Sequence, residues 1–130
     1  GEFYNFALVA PERNNHGHLV LDRLKDIYRG RIFMQTHIDE RTAKPTKKLG
    51  WLTTDHTRDL MLDELVDLVE EGSVKINSPM LKSEMMTFVT SPDGKREAKT
   101  GMHDDRVMAL AIAVKVARMP KTSFGIYTIS

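Results

Sequence analysis

The apolar positions of the chain change period repeatedly, and each change marks an expected element. Phe6-Ala7-Leu8-Val9-Ala10 is a continuous apolar run stopped by Pro11, the pattern of a short buried strand. Over residues 18–29, Leu19, Val20, Leu24, Ile27 and Tyr28 fall near the i, i+3, i+4 spacing of one helical face, and Gly30 follows. Asn14 or Asn15 suits the N-cap of that helix. Arg31-Ile32-Phe33-Met34-Gln35 reads as a second strand. A strand–helix–strand unit favours an α/β layered fold with parallel neighbours.

Residues 36–48 have no periodicity and read as a basic loop carrying Arg41, Lys44, Lys47 and Lys48. Trp51-Leu52-Thr53-Thr54 reads as a short extended piece, and Thr54 or Asp55 as the cap of a long helix to about Glu71. Leu60, Met61, Leu65, Leu68 and Val69 form its expected inner side; Asp59, Asp63, Asp67, Glu70 and Glu71 form a solvated acidic face. Gly72 ends it, residues 73–76 suggest a strand, and Ser78-Pro79 opens a helix to about Met86. Phe88-Val89-Thr90 and Lys95-Arg96-Glu97-Ala98 flank Ser91-Pro92-Asp93-Gly94 as a hairpin. A helix over residues 103–118 is apolar nearly all round, which predicts burial, and a tail runs from about residue 119.

A length of 130 residues suits a single domain, residues 1–130, with one core. The 41% apolar and 28% charged composition argues against general disorder. A net charge of +1 gives no overall field, so any electrostatic signal is local. The absence of cysteine removes disulfides and thiolate metal sites. No run reaches the roughly 18 apolar residues of a membrane span, and the N-terminus lacks signal-peptide regions. The expectation is a soluble, intracellular protein.

The candidate chemistry lies in carboxylates. Asp104 and Asp105 open the most apolar helix, behind Gly101-Met102-His103, and Glu12 directly follows the first strand. Should those ends converge, three carboxylates meet, with Lys95, Arg96, Lys99 and the basic loop around them. Mg²⁺ and Mn²⁺ take oxygen ligands and keep positions open for water and phosphate. Carboxylates bridging two such ions about 3.5–4 Å apart are the apparatus of phosphodiester hydrolysis, and cations further out attract the nucleic-acid backbone. Each feature also has a plainer reading: aspartates at a helix start cap it, and Glu12 becomes a solvated loop residue. His103, His16 and His18 lack the paired spacing of a zinc site. No phosphate-cradling glycine loop, nucleophilic triad or dinucleotide fingerprint is present.

Three stretches together resemble the C-terminal nuclease domain of the large terminase subunit, the DNA-packaging protein of tailed bacteriophages and prophages. They are Pro11-Glu12-Arg13-Asn14-Asn15-His16-Gly17, then Gly50-Trp51-Leu52-Thr53-Thr54 with Thr57-Arg58, then Gly101-Met102-His103-Asp104-Asp105 with Val107-Met108-Ala109-Leu110-Ala111. Residues 81–89, Gly94-Lys95 and Glu97-Ala98 fit the same pattern, so the resemblance covers about residues 4–118 in order. It implies an α/β, ribonuclease H-like nuclease fold, a mixed sheet flanked by helices, that cuts concatemeric double-stranded DNA with two Mg²⁺ or Mn²⁺ ions. By the same resemblance Glu12, Asp104 and Asp105 are the catalytic metal ligands. His103 and Asn15 support them from behind; from position rather than from any motif, Lys44, Lys47, Lys48, Lys95 and Lys99 are expected to approach DNA.

The family carries one more aspartate on a first strand upstream of the Glu12 motif. None of the acids in this chain lies on such a strand, so the resemblance implies a fold lacking its first strands, an incomplete site and weak or absent cleavage by this fragment alone. It also implies self-association through an exposed sheet edge. The implied partners are DNA and, in the intact protein, an ATPase domain, the portal and the small terminase subunit, with no membrane, in the cytoplasm of a bacterial host. The alternatives are another ribonuclease H-like nuclease, of resolvase or transposase type, and a non-catalytic DNA- or protein-interaction domain whose carboxylates only cap helices.

Overall fold

Residues 7–14, 17–90, 96–98 and 105–128 are described by a computed structural model. The fold is mixed α/β. Helices α1 (Gly17–Ile27), α2 (Asp55–Glu70), α3 (Pro79–Met86) and α4 (Asp105–Arg118) accompany strands β1 (Arg31–Ile38), β2 (Pro45–Leu49), β3 (Phe88–Thr90), β4 (Arg96–Ala98) and β5 (Phe124–Thr128). The chain divides into two compact units, one of residues 1–53 with 118–130 and one of residues 54–117. Among the described residues no helix is long and apolar enough to cross a membrane.

The first unit is built on β1. It is the middle strand of a three-stranded sheet ordered β2-β1-β5, antiparallel on both sides. Adjacent residues of a strand point to opposite faces, yet Ile32 and Phe33 are both fully enclosed, so both faces of β1 are covered at this point. Ile32 joins Leu21 and Tyr28 of the α1 segment, with Val9, Leu24, Leu49 and Tyr127 against them. Phe33 meets the rings of Trp51 and Phe124, with centroids 6.0 and 5.1 Å away. Burying each of these two side chains contributes roughly 1.5–3 kcal/mol.

Among the described residues parallel pairing is confined to isolated bridges, Val9 with Ile32, Met34 with Gly50 and Glu12 with Trp51. Their hydrogen bonds trace a change of partner. Val9 N–H donates to Arg31 O and receives Phe33 N–H on its own carbonyl. One step later Gly50 N–H takes the Phe33 carbonyl, while Trp51 N–H donates to Pro11 O and Arg13 N–H to Trp51 O. The Leu49–Trp51 backbone thus passes from β1 to residues 11–13. Gly50 has φ +78°, and a Cβ there would lie 2.7 Å from Pro11 O and 2.9 Å from Leu21 Cδ1. Only glycine meets both demands.

Several expectations are corrected. The expected loop over residues 36–48 is a hairpin: β1 runs on to Ile38, and β2 pairs with it from Met34–Leu49 to Ile38–Pro45. Its turn is held by Asp39, whose Oδ1 accepts from the N–H groups of Arg41 (2.8 Å) and Thr42 (3.0 Å). Because β2 is exposed along nearly its whole length, no apolar alternation marks it. The expected tail contains β5, the third strand of the sheet. Residues 73–76 form no strand, and Val74 N–H instead donates to Leu68 O at the end of α2. On α1 the inward stripe is Leu21, Leu24 and Tyr28, whereas Leu19, Val20 and Ile27 are exposed.

The second unit follows the sequence more closely. Thr54 caps α2 in a reciprocal pair with Thr57, N–H to Oγ in both directions at 3.2 and 2.9 Å. Met61, Leu62, Leu65 and Leu68 are buried, but Leu60, expected inside, is exposed. Ser78 caps α3, with Pro79 as its first residue, and β3 pairs with β4 as the expected hairpin. Helix α4 is not buried all round: Val107, Met108, Ala111, Ile112 and Val116 face inward, while Ala109, Ala113 and Ala117 are exposed. Alanine's small apolar surface makes that exposure inexpensive.

Gly50→Ala is expected to lower stability by about 2–5 kcal/mol, from left-handed strain plus overpacking, measured by urea denaturation. A loss no larger than that of an ordinary surface substitution would show that the crossing does not constrain the fold.

Candidate functional site

Glu12 stands where the strand leaves β1 and pairs with Trp51. Helix α1 begins so close to the Glu12 carbonyl that a Cβ at Gly17 would collide with it. The Glu12 side chain is exposed, and Asn14 Nδ2 donates to its Oε1 (3.3 Å) and to Thr53 O (3.2 Å). Both partners are acceptors, which fixes the amide and leaves Asn14 Oδ1 buried without a partner among the described residues. Trp51 Nε1 and Thr53 Oγ1 are likewise buried and unpartnered. Asn14, taken from sequence only as a helix cap, is therefore the residue that orients Glu12. Asn15 lies outside the described residues.

Arg13 turns the other way and is buried. Its Nη2 donates to His37 Nε2 at 2.7 Å and its Nη1 contacts Leu49 O at 3.4 Å. A guanidinium only donates, so His37 must be neutral with its proton on Nδ1. Burial, and then the charges of Arg13 and Lys48, lower the His37 pKa from its ordinary 6.5. Burial also lowers that of Arg13, which stays charged at any physiological pH. Nothing in the sequence marks Arg13 and His37 as a pair; their contact depends on the crossing at Gly50.

The start of α4 carries the other candidates. Asp105 is its first residue and is exposed; His103 and Asp104 lie outside the described residues. Val107 N–H, the third of the helix, donates to Glu84 Oε1 at 2.8 Å, and Arg106 Nη1 donates to Glu84 Oε2 at 3.2 Å. Glu84 is buried, so a carboxylate from α3 fills a role that an N-cap side chain commonly takes. The spacing of Glu84 from α4 gave no sign of this in the sequence. Further along, Lys115 pairs with Glu64 of α2 at 3.4 Å.

Of the expected DNA-binding lysines, Lys47 and Lys48 face opposite sides of the hairpin. Lys48 pairs with Gln35 and Lys47 with Thr36, so strand alternation turns them to opposite faces. The stem of Lys47 lies over Gly125, whereas Lys48 lies on the side of His37. Lys44 is exposed in the turn before β2, and Lys95 and Lys99 lie outside the described residues. Among the described residues no three His, Asp or Glu side chains are grouped to hold a metal ion. Glu12 belongs to the first unit and Asp105 to the second. The exposed carboxylates, with an unpartnered amide oxygen beside Glu12, have the hard oxygen chemistry that Mg²⁺ or Mn²⁺ requires.

Two outcomes are expected. Glu84→Ala leaves the Val107 N–H and the Arg106 charge without their partner and should cost about 1–3 kcal/mol in chemical denaturation; no loss would remove Glu84 as the cap. For His37, folding disfavours the protonated ring, so its contribution is full above pH 6.5 and is lost as pH falls through the lower folded pKa. His37→Gln keeps an acceptor for Arg13 but does not titrate, so its stability should depend less steeply on pH below 6.5. An unchanged pH slope would place His37 outside that linkage. Compared with known proteins, the chain matches no protein-family profile, no characterised protein and no solved structure at a significant level.

Proposed function

We propose that the chain is part of a Mg²⁺- or Mn²⁺-dependent endonuclease domain of a viral DNA-packaging terminase, with a ribonuclease H-like fold. Three motifs in family order support this reading: Glu12 after the first strand, Gly50-Trp51-Leu52-Thr53-Thr54, and Asp104-Asp105 before α4. One observation carries it beyond resemblance. Glu84 already satisfies the Val107 N–H, so Asp105 is exposed at the start of α4 with no capping bond needed from it at that donor. The plainer reading, in which the acidic pair exists to cap the helix, loses part of its reason.

In this reading Glu12, Asp104 and Asp105 hold the cation, and Asn14 fixes the carboxylate of Glu12. If Glu12, Asp104 and Asp105 held a divalent cation, it would supply an activated water and stabilise the leaving oxygen of a phosphodiester. Glu12 and Asp105 are each exposed, so neither carboxylate is closed off from solvent.

Mn²⁺ titration followed by paramagnetic broadening of amide signals tests the assignment. Broadening centred on Glu12 and on Asp105, lost in Asp105→Ala, together with slow Mn²⁺-dependent nicking of plasmid DNA, is the expected result. Broadening confined to the acidic side of α2, around Asp63 and Asp67, would overturn it. Cleavage restricted to branched junctions would transfer the reading to a resolvase-type nuclease.

A further inference from the structure

Arg13 poses a separate question of charge. Its two acceptors, the Leu49 carbonyl and the neutral His37 ring, carry no negative charge. Among the described residues no carboxylate pairs with it. Glu12, its neighbour in sequence, turns to Asn14 instead. On this side of the hairpin lie a second cation, Lys48, placed opposite Gln35 and close enough to His37 to disfavour its protonation, and the Asp39 carboxylate, whose charged form Lys48 also favours but which is turned to the Arg41 and Thr42 N–H groups rather than to Arg13. A buried cation that gains only neutral partners, with a second cation beside it, loses solvation without compensation. Such an arrangement is reasonable where an anion completes it.

We infer that Arg13, His37 and Lys48 form a binding site for a phosphate group on the β1–β2 face of the first unit. The guanidinium has five N–H donors and commits two of them to Leu49 and His37, which leaves donors for a planar, multidentate contact with phosphate oxygens. Lys48 is exposed and adds a mobile point charge. His37 Nε2 accepts a hydrogen bond from Arg13 Nη2 and so holds the guanidinium in place; it acts as a positioning residue. Gln35, across from Lys48, is engaged with Leu52 N–H at 2.8 Å and is not available to the ligand. The shared chemistry is a phosphate group, whether free or in a nucleic-acid backbone. The inference uses no metal and no acidic residue, so it stands or falls separately from the nuclease reading.

Trp51 is the chain's single tryptophan, and its carbonyl accepts from Arg13 N–H, which makes its fluorescence a local probe. The 130-residue chain, in metal-free buffer at neutral pH, is titrated with sodium phosphate and with sodium chloride at matched ionic strength. A saturable change with phosphate alone is expected, weakened about tenfold or more in Lys48→Glu and retained in His37→Gln. Arg13→Gln should abolish it; because that variant removes a buried group, circular dichroism checks its fold, and the exposed Lys48→Glu decides if it unfolds. Equal responses to phosphate and chloride, or unchanged phosphate affinity in Lys48→Glu, would overturn the site. A short DNA duplex that competes with phosphate identifies the backbone as the source, and failure to compete identifies a free phosphate.

Discussion

The first unit depends on one backbone crossing that only glycine permits. At Gly50 the chain leaves β2, takes the carbonyl of Phe33, and one residue later pairs with the segment after Pro11. A left-handed φ and the nearness of Pro11 O and Leu21 Cδ1 exclude a side chain there. The consequences reach every candidate group of this unit. The first segment is displaced from β1 after Val9, which frees Glu12 from the sheet. Trp51 is set against Phe33, and Arg13 is turned toward Leu49 and His37. Burial of Phe33 and Ile32 supplies the apolar free energy, but the crossing decides which polar side chains lie where.

That geometry separates opposite charges that are adjacent in sequence. Glu12 and Arg13 could neutralise one another as an exposed pair, an interaction worth little in water. Instead the extended backbone sends them to opposite sides. The carboxylate is oriented by an amide, and the guanidinium is buried among neutral acceptors. Among the described residues neither is paired with an opposite charge.

The sequence was most legible where local rules dominate. Thr54 with Thr57 and Ser78 with Pro79 announce α2 and α3, and their caps have the expected hydrogen bonds. It was less legible where tertiary structure chooses among equivalent patterns. Helix α1 carries two overlapping apolar stripes, and Leu21 rather than Leu19 or Val20 faces the core because the space beside Gly50 accepts it. Strand β2 has no buried face and so no alternation to read, while β5 follows a proline and a 3₁₀ turn over Lys121–Ser123, which suggested a tail. Glu12 was picked out by its place after an apolar run, but Asn14, Arg13, His37 and Glu84 depend on contacts between residues up to 39 positions apart, beyond any local spacing.

The acidic pair before α4 illustrates how a remote residue changes the meaning of a local motif. Alone, an aspartate at a helix start is adequately explained by capping and the helix dipole. Glu84 alters that balance because it brings a buried carboxylate to the same helix end and binds both the Val107 N–H and Arg106. With the Val107 N–H already bonded to Glu84, Asp105 has no capping bond to make at that donor. Arg106 pairs with Glu84, and its side chain stays half exposed. The helix start thus has a structural acid inside and a separate acid outside. The inner carboxylate holds the helix, and the outer one is left to solvent.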